Sequence, residues 1–95
     1  MNIKELIPFG ESNRIKASEI TQRTNLHGSQ IREQVNKLRS EFVPIASDER
    51  GYFIAETPEE LNHTIAQLNS RIHKMIKARE GLKKAQRIME EKANV

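Results

Sequence analysis

The stretch IKASEITQRTNLHGSQIREQVNKLRS, residues 15–40, decides the fold of this 95-residue chain. Ser18 offers a hydroxyl that can cap a helix start, and Ala17, Ile20 and Leu26 supply the first apolar positions. Thr24-Asn25-Leu26-His27-Gly28 breaks the pattern. Ser29 to Ser40 restores it, with Ile31, Val35 and Leu38 spaced four and three apart on one side of a second helix. At about 100° per residue, Ser29, Arg32, Glu33, Asn36, Lys37 and Ser40 point away from that stripe, with Gln30 beside them. Side chains of these types can reach base edges or phosphates.

Outward from this pair, Phe42-Val43-Pro44-Ile45-Ala46-Ser47 and Tyr52-Phe53-Ile54-Ala55 are two short β-rich runs. They flank a polar turn, Asp48-Glu49-Arg50-Gly51, which predicts a hairpin with a charged tip. Pro44 cannot donate to a strand ladder and belongs at the start or outer edge of the first strand. Tyr52 and Phe53 alternate across the second strand, so one is expected on the core and the other on the hairpin surface. Helix, tight turn, helix and hairpin in this order outline a winged helix-turn-helix.

The matching stretches are Ala17-Ser18-Glu19-Ile20, Leu26 with Ile31-Arg32-Glu33-Gln34-Val35-Asn36-Lys37-Leu38-Arg39, and Gly51-Tyr52-Phe53-Ile54-Ala55. On them, roughly residues 3 to 57 resemble the winged-helix domains typified by the N-terminal domain of the biotin operon repressor. They are also similar to small phage-encoded winged-helix proteins of Gram-positive bacteria. His27 stands where that family usually has serine or threonine at the start of the recognition helix, and Phe42 where glycine often ends it. The resemblance implies a recognition helix in the major groove and a wing tip along an adjacent backbone or minor groove.

Residues 1–57 hold eight Lys/Arg and eight Asp/Glu, whereas residues 58–95 hold eight and five, so the whole net charge of +3 lies in the C-terminal part. A neutral domain binds DNA only where its cations converge, and Arg14, Lys16, Arg23, Arg32, Lys37, Arg39 and Arg50 are the candidates. With 36% hydrophobic and 4% aromatic residues the core is small, and oligomerisation would help it. No cysteine, no long apolar run and no apolar N-terminal stretch are present, which predicts a cytoplasmic protein with no membrane partner.

Thr57-Pro58-Glu59-Glu60 predicts a helix start, with Thr57 as cap, Pro58 first in the helix and Glu60 bonding back. From there Leu61, Ile65, Leu68, Ile72, Met75, Arg79, Leu82, Gln86 and Met89 recur at alternating steps of four and three, a coiled-coil seam. One small domain cannot cover such a seam, so a partner helix is expected, with Leu61, Ile65, Leu68, Ile72, Met75 and Leu82 as dimerisation contacts. Residues 71–87 carry seven basic residues and one acid, Glu80. That outer face is either a solvated surface or a contact for phosphate or an acidic protein.

Catalysis finds no support in the sequence. His27, His63 and His73 have no cysteine partner, serine elbow or repeated metal spacing, and no glycine-rich phosphate loop is present. Glu60 with His63 resembles half of a di-iron motif but lacks the further carboxylates such a site needs. No metal and no cofactor are expected.

The expectation is therefore a mainly α chain with a small β-hairpin wing: a winged helix-turn-helix domain over 1–56 and a long amphipathic dimerisation helix over 57–95. As a homodimer it would bind double-stranded DNA sequence-specifically, as a transcriptional regulator or phage DNA-transaction factor. Arg32 would contact a guanine edge, Asn36 an adenine edge, and Ser29 or Lys37 a phosphate, with Gln30 and Glu33 on the same face and Arg50 at the wing tip. The alternative is a non-enzymatic adaptor that grips another protein through the winged helix or the basic C-terminal helix.

Overall fold

The computed structural model describes residues 2–93. A 3-10 turn at Ile3–Glu5 and another at Glu11–Asn13 precede helix α1 (Ala17–Thr24) and helix α2 (Gly28–Ser40). Strands β1 (Ile45–Asp48) and β2 (Gly51–Ile54) follow, then a 3-10 turn at Pro58–Leu61 and helix α3 (Asn62–Ala93). The chain is thus mainly helical, with one antiparallel hairpin and a long C-terminal helix. By internal contacts it divides into two units, Met1–Thr64 and Ile65–Val95.

The first unit closes on a core of Ile3, Ile7, Ile15, Ile20, Ile31, Val35, Ile45 and Ile54, with Leu26, Leu38, Val43 and Tyr52 packed around it. α1 begins at Ala17 with Lys16 as its cap, and no side chain caps it, so Ser18 lies inside the helix and its expected capping role is not met. Tertiary pairing overrides the local signal: Ile15 exchanges two 2.8 Å backbone hydrogen bonds with Tyr52, which forces the chain to turn directly after it. Ala17, expected on the apolar side, is exposed.

A three-residue turn, Asn25 to His27, joins α1 to α2. Thr24 Oγ1 donates to the Ile20 carbonyl at 2.7 Å and accepts from the Leu26 amide at 3.1 Å. Asn25 adopts φ +61°, a left-handed conformation that asparagine tolerates well. Within α2, Ile31 and Val35 are buried and Leu38 half-buried, as the spacing predicts. The helix ends in a Schellman motif, the Phe42 amide donating to the Arg39 carbonyl and the Val43 amide to the Leu38 carbonyl, both at 3.0 Å. Phe42 takes the left-handed position at φ +71°.

β1 and β2 pair in the register Ile45 to Ile54, Ala46 to Phe53, Ser47 to Tyr52 and Asp48 to Gly51. Pro44 precedes β1, and its carbonyl accepts from the Ala55 amide at 2.9 Å. Both expected strand aromatics pack: Phe53 is buried and Tyr52 leans on the core, so neither is left on an open surface. Single-residue bridges from Phe9 and Ile15 extend the sheet beyond β2. The outer edge of β1 is closed by side chains. Thr64 Oγ1 accepts from the Ser47 amide at 3.0 Å and donates to its carbonyl at 3.3 Å, while Arg39 Nε donates to the Ile45 carbonyl at 2.9 Å. An edge satisfied in this way offers no template for another strand.

The helical run does begin at Pro58, but as a 3-10 turn that becomes α-helix at Asn62. Thr57 makes no side-chain cap, and Glu60 Oε2 accepts from the Glu56 amide at 3.4 Å rather than from Thr57. Among the described residues no helix is long and apolar enough to cross a membrane.

Candidate nucleic-acid interface

Ser29, Gln30, Arg32, Glu33, Asn36 and Lys37 are all exposed on α2, because the burial of Ile31 and Val35 fixes the opposite side of the helix inward. Among the described residues no ion pair or side-chain hydrogen bond holds Ser29, Arg32, Glu33, Asn36 or Lys37. These side chains retain their full hydrogen-bonding capacity toward an outside partner. Gln30 differs: its Oε1 accepts from the His27 amide at 2.8 Å, the return bond of a capping box. His27 thus opens the helix with extended backbone at φ −76° and ψ 160°, and Gln30 is held at the helix start.

The seven candidate cations of the first unit separate into two groups. Arg14 Nη2 lies 3.0 Å from Asp48 Oδ2 and 3.3 Å from Glu11 Oε1. Its guanidinium sits 5.7 Å from the Phe53 ring centroid, a cation–π contact. Arg39 binds the Ile45 carbonyl and Ser47 Oγ, and Arg23 pairs with Glu19 along α1. Among the described residues Lys16, Arg32, Lys37 and Arg50 carry no ion pair.

Arg50 occupies the tip of the hairpin and lines a shallow depression with Arg14, Lys16, Ser18 and Glu49; no residue of α2 lines it. Asp48, whose charge would oppose phosphate, is engaged on both oxygens. Oδ1 accepts from the Arg50 amide at 2.8 Å and the Gly51 amide at 3.2 Å, and Oδ2 faces Arg14. Glu49 is the acid left open beside Arg50.

In the second unit the seam residues Ile65, Ile72, Met75, Leu82 and Met89 are exposed, Met75 at 71% and Leu82 at 72%; Leu68 is half-buried, as is Leu61 in the first unit. Sequence reasoning missed Arg14 and Arg39 as structural clamps and Thr64 as the closure of β1. Their partners are far along the chain or backbone groups, which leave no periodic signature. Among the described residues no three His, Asp or Glu side chains gather as a metal site. No family model, curated protein or solved structure matches this chain.

Proposed function

We propose that the chain is a winged helix-turn-helix protein that binds double-stranded DNA sequence-specifically as a homodimer, in transcriptional regulation or in a phage DNA transaction. The observation that carries this reading is the outward face of α2, where Arg32, Asn36 and Lys37 are exposed beside Ser29 and, among the described residues, have no side-chain partner. The three-residue turn before α2 and the hairpin after it support the same reading. In it, Arg32 reads guanine, Asn36 reads adenine, Lys37 and Ser29 hold phosphate, and Arg50 touches the backbone from the wing. The exposed seam of α3 supports pairing with a second copy, which presents two recognition helices.

Selection of binding sequences from a random duplex library tests it. An enriched palindrome with half-sites about one helical turn apart, or a multiple of it, is expected. Arg32→Ala should lose roughly 1–3 kcal/mol on that site and relax one position of the motif. No enriched sequence would overturn sequence-specific binding.

One observation favours the protein adaptor instead: Phe42 is 93% exposed and Phe9 68% exposed around the apolar surface of Val43 and Pro44. Exposed aromatics of this kind mark protein contacts more often than DNA contacts. Enrichment of a specific duplex sequence in the selection decides against that reading.

A further inference from the structure

We infer that the outer stripe of α3, formed by Lys74, Lys77, Lys84 and Arg87, is a second, sequence-independent surface for the phosphate backbone of duplex nucleic acid. It does not rest on the reading of α2 given above. At about 100° per residue these four side chains fall within an arc of about 140°, opposite the Ile65-to-Met89 seam. They extend over roughly 20 Å at about 1.5 Å per residue. A helix whose seam faces a second copy therefore leaves this stripe open to solvent and to a ligand.

All four are exposed, and among the described residues none has an ion-pair partner. The one acid of residues 71–87, Glu80, shares the stripe's side of the helix but is already engaged, 3.1 Å from Arg79 and 3.8 Å from Lys83. The stripe is positive along its length. Because residues 1–57 balance to zero, this helix is where the chain's excess of cations resides. Duplex DNA presents one phosphate per about 3.4 Å on each strand, a dense charge array that flexible lysines track without register.

Four phosphate contacts release about four counterions per chain, and the slope of log K against log salt is about −0.9 for each. The stripe therefore supplies a slope of about −3.6, or roughly 150-fold in affinity between about 50 and about 200 mM salt.

The test uses the full chain and a fluorescent 30-base-pair duplex of arbitrary sequence, titrated across that salt range. Lys77→Gln/Lys84→Gln should flatten the slope by about 1.8 per chain. Lys4→Gln, an exposed charge outside both surfaces, should keep the wild-type slope, and circular dichroism establishes that both variants retain their helix. An unchanged slope in the stripe variant overturns the inference, as does an equal change in both variants. Arg32→Ala/Lys37→Ala in the same titration separates the two surfaces. Loss there alone leaves the reading of α2 standing without the stripe, and loss in the stripe variant alone does the reverse. A wild-type chain that ignores duplex at about 50 mM salt also overturns the inference and points the stripe to an acidic protein.

Discussion

Gly51 and Gly81 call for opposite outcomes from the same substitution. Gly51 opens β2 at φ +144°, and a Cβ there would run into the carbonyl of Ile15 and the amide nitrogen of Lys16. To make room, Ile15 must retreat from Tyr52, which breaks the pair of 2.8 Å hydrogen bonds between them. Two such bonds contribute about 1 kcal/mol each, and the forced backbone adds about 1–3 kcal/mol. Gly51→Ala should therefore destabilise the first unit by about 3–5 kcal/mol, a large share of the roughly 5–15 kcal/mol available to a domain. At about 4–8 °C per kcal/mol for so small a domain, its melting temperature falls by more than about 12 °C. A methyl group added at Gly81 would meet no atom within 4 Å, so Gly81→Ala should stabilise α3 by about 1 kcal/mol through helix propensity alone. Tyr52 is the chain's one tyrosine, and its fluorescence during urea unfolding reports the affected bridge directly; circular dichroism reports α3. A Gly51→Ala protein within about 0.5 kcal/mol of wild type would refute the close approach of Ile15 to β2.

Thr64→Val should cost roughly 1–3 kcal/mol in urea unfolding, because it leaves the Ser47 amide and carbonyl without their partner at a half-buried edge, whereas Thr64→Ser should keep most of the stability. Phe42→Gly should stabilise by about 0.5–1 kcal/mol, since the left-handed backbone costs an exposed phenylalanine more than glycine's extra unfolded-state entropy. A loss above about 1 kcal/mol would show that the ring packs within the chain. Arg79→Leu should tighten self-association measured by sedimentation equilibrium, because it removes a charge from the apolar seam. A wild-type chain that stays monomeric at high concentration would remove the seam as a self-association surface.

The elements with periodic apolar spacing were legible in the sequence: α2 from Ile31, Val35 and Leu38, the hairpin from its alternation around Asp48-Glu49-Arg50-Gly51, and α3 from its long seam. Asn25 and Phe42 mark the two helix ends with left-handed backbone, and Phe42 takes it at the position where the resembling family often has glycine. What escaped the sequence depends on contacts distant along the chain. The Ile15–Tyr52 and Phe9–Ile54 bridges bring the N-terminal segment onto β2, and they move the start of α1 ahead of Ser18. Arg14 and Arg39 read as candidate DNA contacts because their partners, Asp48 with the Phe53 ring and the Ile45 carbonyl, are reached only after folding. The face of α2 was fully legible, since burying one side of an amphipathic helix exposes the other. Ser18 loses its capping role to backbone geometry set by the Ile15–Tyr52 bridge, whereas Thr57 does stand at the cap position ahead of Pro58 but makes no side-chain bond there.

Contact between the outward face of α2 and duplex DNA is the proposal on which the others turn. Amide chemical-shift changes in the labelled full chain, titrated with a 20-base-pair duplex at about 50 mM salt where phosphate-driven binding is strong, test it most directly. The largest changes are expected at Ser29, Arg32, Glu33, Asn36 and Lys37, with a smaller set at Lys16 and Arg50. A titration that leaves α2 unshifted would contradict it.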